Sequence, residues 1–480
     1  MVLLAPLSLA ALTLPVVLAD LTASINADSN WGTWEGWGTS LAWWAARFGD
    51  RDDLADAFFT LKSTTVNGET LPGLGFTIAR YNAGASSWNT VNGDTKMVES
   101  SKIIRSRLVE GYWIDWASKD PSSSSWDWTV DAKQRAMLTK AIARGVTHTE
   151  LFSNSPMWWM CKNKNPSGGP GGVENIQSWN LEDHAVYMAT VAEQFRDRWN
   201  INFSTISPFN EPSADWWNDA GTQEGCHLNV PTQATIIGHL ANHIASRGLS
   251  SKIAASDESY FDQAVSNLQN IGSSAISKIS RINVHGYQGG SGRRDVLYNL
   301  AQEHQKPLWN SEFGNSGGNG ADMAKMWLVD MRWMHPTAWV YWQVLDGAGW
   351  GLIDADNESG TMKGATQKYF VFAQLSRHIR PGMRILDSGD ENVVAFYSAP
   401  EGKLVVVAVN WSTAQYINVD LGRFAGRPAE GSKVTRWSTK MADGGERYVK
   451  REDTTFQGTK FWSWFETNTI QTFEVTGVKI

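Results

Sequence analysis

Short apolar or β-branched runs recur between helical stretches from about residue 34 to residue 375. This alternation constrains the fold more than any other feature of the chain. The runs predict strands at Gly36–Ser40, Leu74–Tyr81, Thr147–Ser153, Thr205–Phe209, Lys252–Ser256, Arg281–His285, Pro307–Ser311 and Ala338–Trp342. Helices are expected between them, among others at Asp131–Arg144, Leu181–Trp199, Pro231–Arg247 and Asp322–Met334. In the second of these, Val186, Ala189, Ala192, Phe195 and Trp199 follow the 3.6-residue period of one helix face. Strands joined through helices must run parallel, and about eight such units close into a barrel. The expected fold class is therefore α/β, a (β/α)8 barrel over residues 31–380.

After Arg380-Pro381-Gly382 the pattern changes. Asn392–Tyr397, Leu404–Asn410, Ile417–Leu421, Val434–Trp437 and Thr469–Val475 read as short strands separated by turns such as Ala399-Pro400-Glu401-Gly402. They predict an attached antiparallel β-sandwich over residues 381–480. Residues 20–30 are expected to add a strand to it, at Leu21–Ala27. No long Pro/Ser-rich linker precedes this domain, so rigid packing on the barrel is expected.

Residues Val2 to Ala19 are nearly all apolar and uncharged. Pro6 and Pro15 argue against a membrane helix, and Val17-Leu18-Ala19 suits signal peptidase. Residues 1–19 are read as a secretory signal, and the mature chain as extracellular and not membrane-bound. In an oxidising compartment Cys161 and Cys226 are expected to pair, closing a loop of about 65 residues. Asn202, Asn357 and Asn410 stand in N-x-S/T sequons and are glycosylation candidates.

The net charge is −7, with no basic stripe, so nucleic acid is not an expected partner. The HLANH segment sets His239 and His243 four apart but lacks the glutamate of a zinc protease. No phosphate-binding loop, dinucleotide fingerprint or serine elbow occurs. No metal or organic cofactor is expected. Tryptophan is abundant, with 26 in 480 residues. Its flat apolar face and single N–H suit a sugar ring as well as a Trp-rich core.

Catalytic groups of a β/α barrel sit at the C-terminal ends of its strands. The fourth predicted strand ends Ser207-Pro208-Phe209-Asn210-Glu211-Pro212, and the seventh ends Asn310-Ser311-Glu312-Phe313. Two glutamates thus face each other across the mouth. Glycoside hydrolysis needs such a pair, one protonated to serve the leaving oxygen and one ionised to attack the anomeric carbon. A separation of about 5–5.5 Å would predict retention of configuration.

Asn-Glu-Pro on strand four with Ser-Glu on strand seven resembles the retaining barrel glycosidases, and more closely glycoside hydrolase family 30. The segments NWGTWEGWGTSLAWWA (Asn30–Ala45) and NSPMWWM (Asn154–Met160) are similar to fungal endo-β-1,6-galactanases of that family. The resemblance implies Glu211 as acid/base, Glu312 as nucleophile and Asn210 as a donor to the sugar 2-hydroxyl. It places Arg80 beside Glu312, holding its pKa down. Trp342 is expected as the floor under the reacting sugar. By position, Tyr287 is expected to hydrogen-bond Glu312, and His285 and Asn154 to stand at the substrate. Trp37, Trp158, Trp159, Trp216 and Trp217 fall in predicted loops at the mouth, and one or two of them are expected to stack on sugar. Asp257-Glu258 is expected to give polar support.

The function that the resemblance implies is a secreted, monomeric, retaining endo-glycosidase acting on β-1,6-galactan side chains of arabinogalactan. β-1,6-Glucan, xylan and glycosylceramide remain open as substrates, since galactose and glucose differ only at the 4-hydroxyl. A non-catalytic carbohydrate-binding protein on the same scaffold is the alternative outside enzymes.

Overall fold

The computed structural model describes residues 20–480. The expected signal sequence lies outside the described residues. Eight parallel strands close into a barrel: Gly36–Ser40, Ile78–Asn82, His148–Phe152, Thr205–Ser207, Lys252–Glu258, Ile279–His285, Leu308–Phe313 and Ala338–Tyr341. The last pairs with the first, Ala338 opposite Gly36 and Tyr341 opposite Thr39. Helices at Ala132–Ala143, Leu181–Trp199, Val230–Ser246 and Ala321–Trp333 match the sequence expectation to within about a residue. Leu181–Trp199 carries Glu182 and Asp183 in its first turn and Arg196 and Arg198 in its last, in line with the helix dipole. Asn200, at φ 54°, ends it.

The second strand starts at Ile78, later than Leu74. The backbone N–H groups of Leu74 and Phe76 donate instead to Ala57 and Phe58 of the helix Asp52–Phe59. Their side chains are buried, so this apolar run reports burial, not a ladder.

Beyond the barrel, six antiparallel strands form one sheet, in the order Arg384–Leu386, Val393–Ser398, Lys403–Asn410, Thr469–Thr476, Lys433–Lys440, Val449–Thr455. A second sheet contains Leu21–Ser24, Gln415–Asp420 and Lys460–Phe465. Leu21–Ser24 runs parallel to its neighbour, Leu21 opposite Ile417, whereas an all-antiparallel domain was expected. Lys403–Asn410 shows why this unit sits firmly on the barrel. Leu404, Val406 and Ala408 belong to the sandwich core, while Val405, Val407 and Val409 pack into the barrel cluster. A strand apolar on both faces lies between two packed layers. Thr472 Oγ1 donates to Gln374 O at 2.7 Å across the same junction.

Three expectations fall with the packing. Trp37 lies within the first barrel strand and is fully buried among Trp34, Trp327, Trp339 and Phe372, its Nε1 donating to Ile379 O at 2.9 Å. It is a core residue because it occupies a strand position facing the helices, away from the mouth. Cys161 and Cys226 are free and buried, so the expected disulfide is not formed. Cys161 Sγ lies 3.8 Å from Pro156 O, and Cys226 Sγ lies 3.5 Å from His227 O. Burial pushes the Cys161 thiol up to about 12, which withholds the thiolate that exchange requires. Asn410 is buried with Nδ2 donating to Thr413 O at 3.0 Å, and Asn357 Nδ2 donates to Leu345 O at 3.3 Å. A glycan needs that nitrogen free; of the three sequons, Asn202 is the exposed one.

Candidate active site

Glu312 closes the seventh strand, and Glu211 lies just past the fourth. Glu211 sits in the left-handed region at φ 49°. Non-glycine residues held there cluster at functional sites, where the surroundings over-determine them. Here the restraints are visible. Glu211 N donates to Asp257 O at 2.7 Å, and Trp217 Nε1 donates to Glu211 O at 3.0 Å. Two residues on, Ser213 N and Oγ donate to the Glu258 carboxylate at 3.1 and 2.7 Å. Burial pushes Glu258 up to about 7 despite these bonds.

Carboxylate oxygens of Glu211 and Glu312 and a ring nitrogen of His285 lie within 4.8 Å of one another. Carboxylate oxygens that close suit the ~5–5.5 Å arrangement of a retaining pair better than the ~6.5–9.5 Å that an inverting water requires. Arg80 Nη1 donates to Glu312 Oε2 at 2.9 Å, and Tyr287 Oη donates to Glu312 Oε1 at 3.0 Å. Arg80 also donates to Asp257 at 3.0 Å, to Glu150 at 2.9 Å and to Ser40 Oγ at 3.2 Å. Its guanidinium is entirely buried, over the ring of Phe152. His285 Nδ1 lies 3.2 Å from Glu211 Oε1 and 3.5 Å from Glu312 Oε1, with Nε2 3.4 Å from Asp257.

The charges set the protonation states. Burial opposes a charged His285, yet Glu312, Asp257 and Glu211 together raise it to about 10. His285 is therefore an imidazolium at neutral pH. Its Nδ1 then donates to Glu211 and the ring lies within ion-pair distance of Glu312 and Asp257, which makes the trio an acid cluster around one cation. Asp257 is held well below the usual carboxylate range: Arg80 and His285 outweigh its burial. Glu312 moves the other way from the expectation. Arg80 and His285 pull it down, but burial and the nearby Glu211 charge prevail and its pKa is raised.

A cavity of about 560 Å³ opens over this cluster. Asn210, Glu211, Glu312, Tyr287 and Trp342 line it. Asn210 is nearly buried, and its Oδ1 has no partner among the described residues. Trp342 stands edge-on to Trp43, ring centroids 5.0 Å apart. Arg80 and His285 lie beneath, acting on the glutamates and not lining the cavity. Trp216 and Trp217 line it; Trp158 and Trp159 do not. Trp158 is fully buried with Nε1 donating to Ser87 Oγ at 2.6 Å, so the expected sugar contact is corrected to packing. Asn154 is also buried off the cavity, its amide without a partner among the described residues. Its strand ends at Phe152, and the chain turns inward there, with Ser153 Oγ donating to Ser155 O.

Sequence reasoning missed Glu150, which takes Arg80 on one oxygen and Arg281 and Thr205 on the other. A glutamate in the middle of the strand His148–Phe152 was the available signal. It also missed Ser207 and Ser311, which both donate to Asp257 at 2.5 Å, and the cavity residues Trp43, Tyr260 and Trp350.

Known proteins carry the same frame. The chain is 55% identical over 460 residues to an endo-beta-1,6-galactanase of Hypocrea rufa, covering 96% of this chain and 95% of that one. Its fold is similar to the catalytic domain of a GH30 xylanase C from Talaromyces cellulolyticus, with TM-score 0.70, 20% identity, and coverage of 95% of this chain and all of that one. A conserved exported protein from Bacteroides fragilis superposes with TM-score 0.72 at 18% identity, with coverage of 95% of this chain and all of that one. Residues 16–292 match the profile of O-glycosyl hydrolase family 30. Extensive identity to one relative and a profile match over more than half its length agree with the barrel, the sandwich and the paired glutamates: the chain is an O-glycosyl hydrolase of family 30.

Proposed function

We propose that this glycosidase is a secreted, monomeric endo-β-1,6-galactanase that cleaves galactan side chains of arabinogalactan with retention. The carrying observation is the Glu211–His285–Glu312 cluster, within 4.8 Å, at the floor of a Trp-lined cavity. The 55% identity to a galactanase over nearly the whole chain supports the substrate.

In this reading Glu312, oriented by Arg80 and Tyr287, attacks the anomeric carbon. Glu211, protonated, gives its proton to the departing glycosidic oxygen. Glu312 then carries the sugar as an ester and has lost its charge. Glu211, now ionised, takes a proton from water, which attacks the same carbon and frees Glu312. Positive charge on Arg80 and His285 stabilises the glutamate that is ionised in each resting state. Asn210 would hold the sugar 2-hydroxyl, a bond that strengthens as the ring gains charge. The signal over residues 1–19 would direct it outside the cell, and the sandwich would serve as a structural cover for the barrel.

The test is product release from β-1,6-galactan, β-1,6-glucan, β-1,3-galactan and xylan, with Glu211→Gln and Glu312→Gln beside the wild type. Short β-1,6-galacto-oligosaccharides from the wild type are expected, with losses of about 10²–10⁴-fold or more in each variant. Turnover of glucan or xylan alone would remove galactan as the substrate. Undiminished turnover in either variant would remove the catalytic pair.

A further inference from the structure

One wall of the cavity is carried by a residue that no sequence motif marks. Trp350, in the loop after the eighth barrel strand, lines the cavity with Glu312 and Trp342. Its ring lies against Gly314, two residues past Glu312. A Cβ on Gly314 would come within 2.9 Å of Trp350 Cζ3. The backbone leading to Trp350 is costly. Ala348 and Gly349 have φ of 52° and 79°, and a Cβ on Gly349 would meet Ser316 O at 2.2 Å. Such a turn persists only where its surroundings hold it.

Lys368, on the helix Gln367–Ser376, is what holds it. It is fully buried. Its Nζ donates to Asn315 O at 2.6 Å, to Gly349 O at 2.8 Å and to Tyr341 Oη at 2.8 Å. Tyr341 Oη donates in turn to Trp350 O at 2.5 Å. These three acceptors lie on different segments of the catalytic face, and Trp350 O itself lies 3.4 Å from the same nitrogen. One follows Glu312, one ends the strand before Trp342, and one leads into Trp350. Stability alone would favour an apolar residue here, since burying an ammonium is expensive.

We propose that Trp350 is a sugar-stacking wall of the substrate cavity and that Lys368 is the positioning residue that holds it against the strand carrying Glu312. The proposal rests on the cavity being the glycan site, and it names a binding determinant there that acts on affinity instead of bond cleavage.

A double-mutant cycle on KM and kcat tests it, with Trp350→Ala, Lys368→Met and the pair, on the polysaccharide that the wild type turns over. Trp350→Ala is expected to raise KM about tenfold, with kcat within about twofold. Lys368→Met is expected to raise KM by a smaller factor. In the Trp350→Ala background it should leave KM unchanged, because its effect passes through that ring. Tyr341→Phe removes only the hydroxyl bridge and is the gentler variant if Lys368→Met fails to fold. It should raise KM in the same direction, with circular dichroism and Tm recorded beside it. An unchanged KM in Trp350→Ala overturns the stacking role. A lowered Tm with unchanged KM in Lys368→Met or Tyr341→Phe, or additive effects on KM in the cycle, overturns the positioning role. Failure of the galactanase reading shows separately, in which glycan the wild type cleaves.

Discussion

Inward-pointing residues of the barrel include Arg80, Glu150, Asp257, Arg281, His285 and Glu312, all buried and joined by hydrogen bonds or, for His285, by ion-pair contacts. At the matching positions of the sandwich stand Ala23, Ile25, Leu404, Val406, Val419 and Phe461. Both interiors are closed to water, yet one is ionic and the other apolar. The barrel has a second place to bury apolar surface, between its strands and its outer helices, where Trp37, Trp327 and Trp339 lie. That layer carries the hydrophobic contribution and frees the barrel axis for charge. The sandwich's own core lies between its two sheets and is filled with hydrocarbon.

The largest contrast comes from emptying each interior. Arg80→Met would leave three buried carboxylates without their common cation, and Phe461→Ala would leave a cavity. Both are expected to cost about 3–5 kcal/mol in denaturant unfolding. Arg80→Met should also abolish turnover, while Phe461→Ala should leave kcat unchanged below its lowered Tm. Loss of kcat in folded Phe461→Ala would break the division of labour between the two interiors.

A smaller effect is expected from Tyr287→Phe, which removes a hydrogen bond to Glu312 and no packing. Turnover should fall by about ten- to a hundredfold with little change in Tm. A large drop in Tm would show that the barrel cluster also carries the fold.

The comparison sharpens with pH. His285 is raised to about 10 from an unfolded value of 6.5. Between these values the folded chain holds a proton that the unfolded chain has released. The stability His285 contributes is therefore full below pH 6.5 and is lost as pH rises through about 10. Subtracting His285→Gln from wild type in unfolding curves across this range should isolate a falling difference. A flat difference would mean that His285 is neutral in the folded state. Phe461→Ala, against the same wild type, should give a flat difference.

The smallest effect is the most diagnostic of Cys161 and Cys226. With both thiols free, a reductant should leave Tm where it is. A fall in Tm would reveal the cross-link that the structure lacks.

The barrel strands were legible because each is a short apolar run bracketed by helix periodicity. Gly36–Ser40 was found to the residue. Val449–Thr455 was not, because VKREDTT is almost wholly exposed and polar, as befits an edge strand. Lys460–Phe465 alternates buried and exposed residues, yet Trp462 and Trp464 point outward, which blurs the pattern. Of the tryptophans expected at sugar, Trp37 and Trp158 turned out to be core and Trp216 and Trp217 to line the cavity. The indole serves both ends equally well, so residue type could not separate them.

The sequence by itself determined the eight-unit barrel, the glutamates at the ends of strands four and seven, Asn210 beside the first of them, and His285 and Tyr287 at the end of strand six. These follow from periodicity and strand polarity, which are local. Only the tertiary structure decided that Arg80 binds Glu150, Asp257 and Glu312 together, that burial outweighs Arg80 in raising Glu312, and that Lys368 reaches the loop of Trp350. Each of these depends on distances between segments far apart in the chain and on exclusion of water, and both quantities exist only once the barrel has closed.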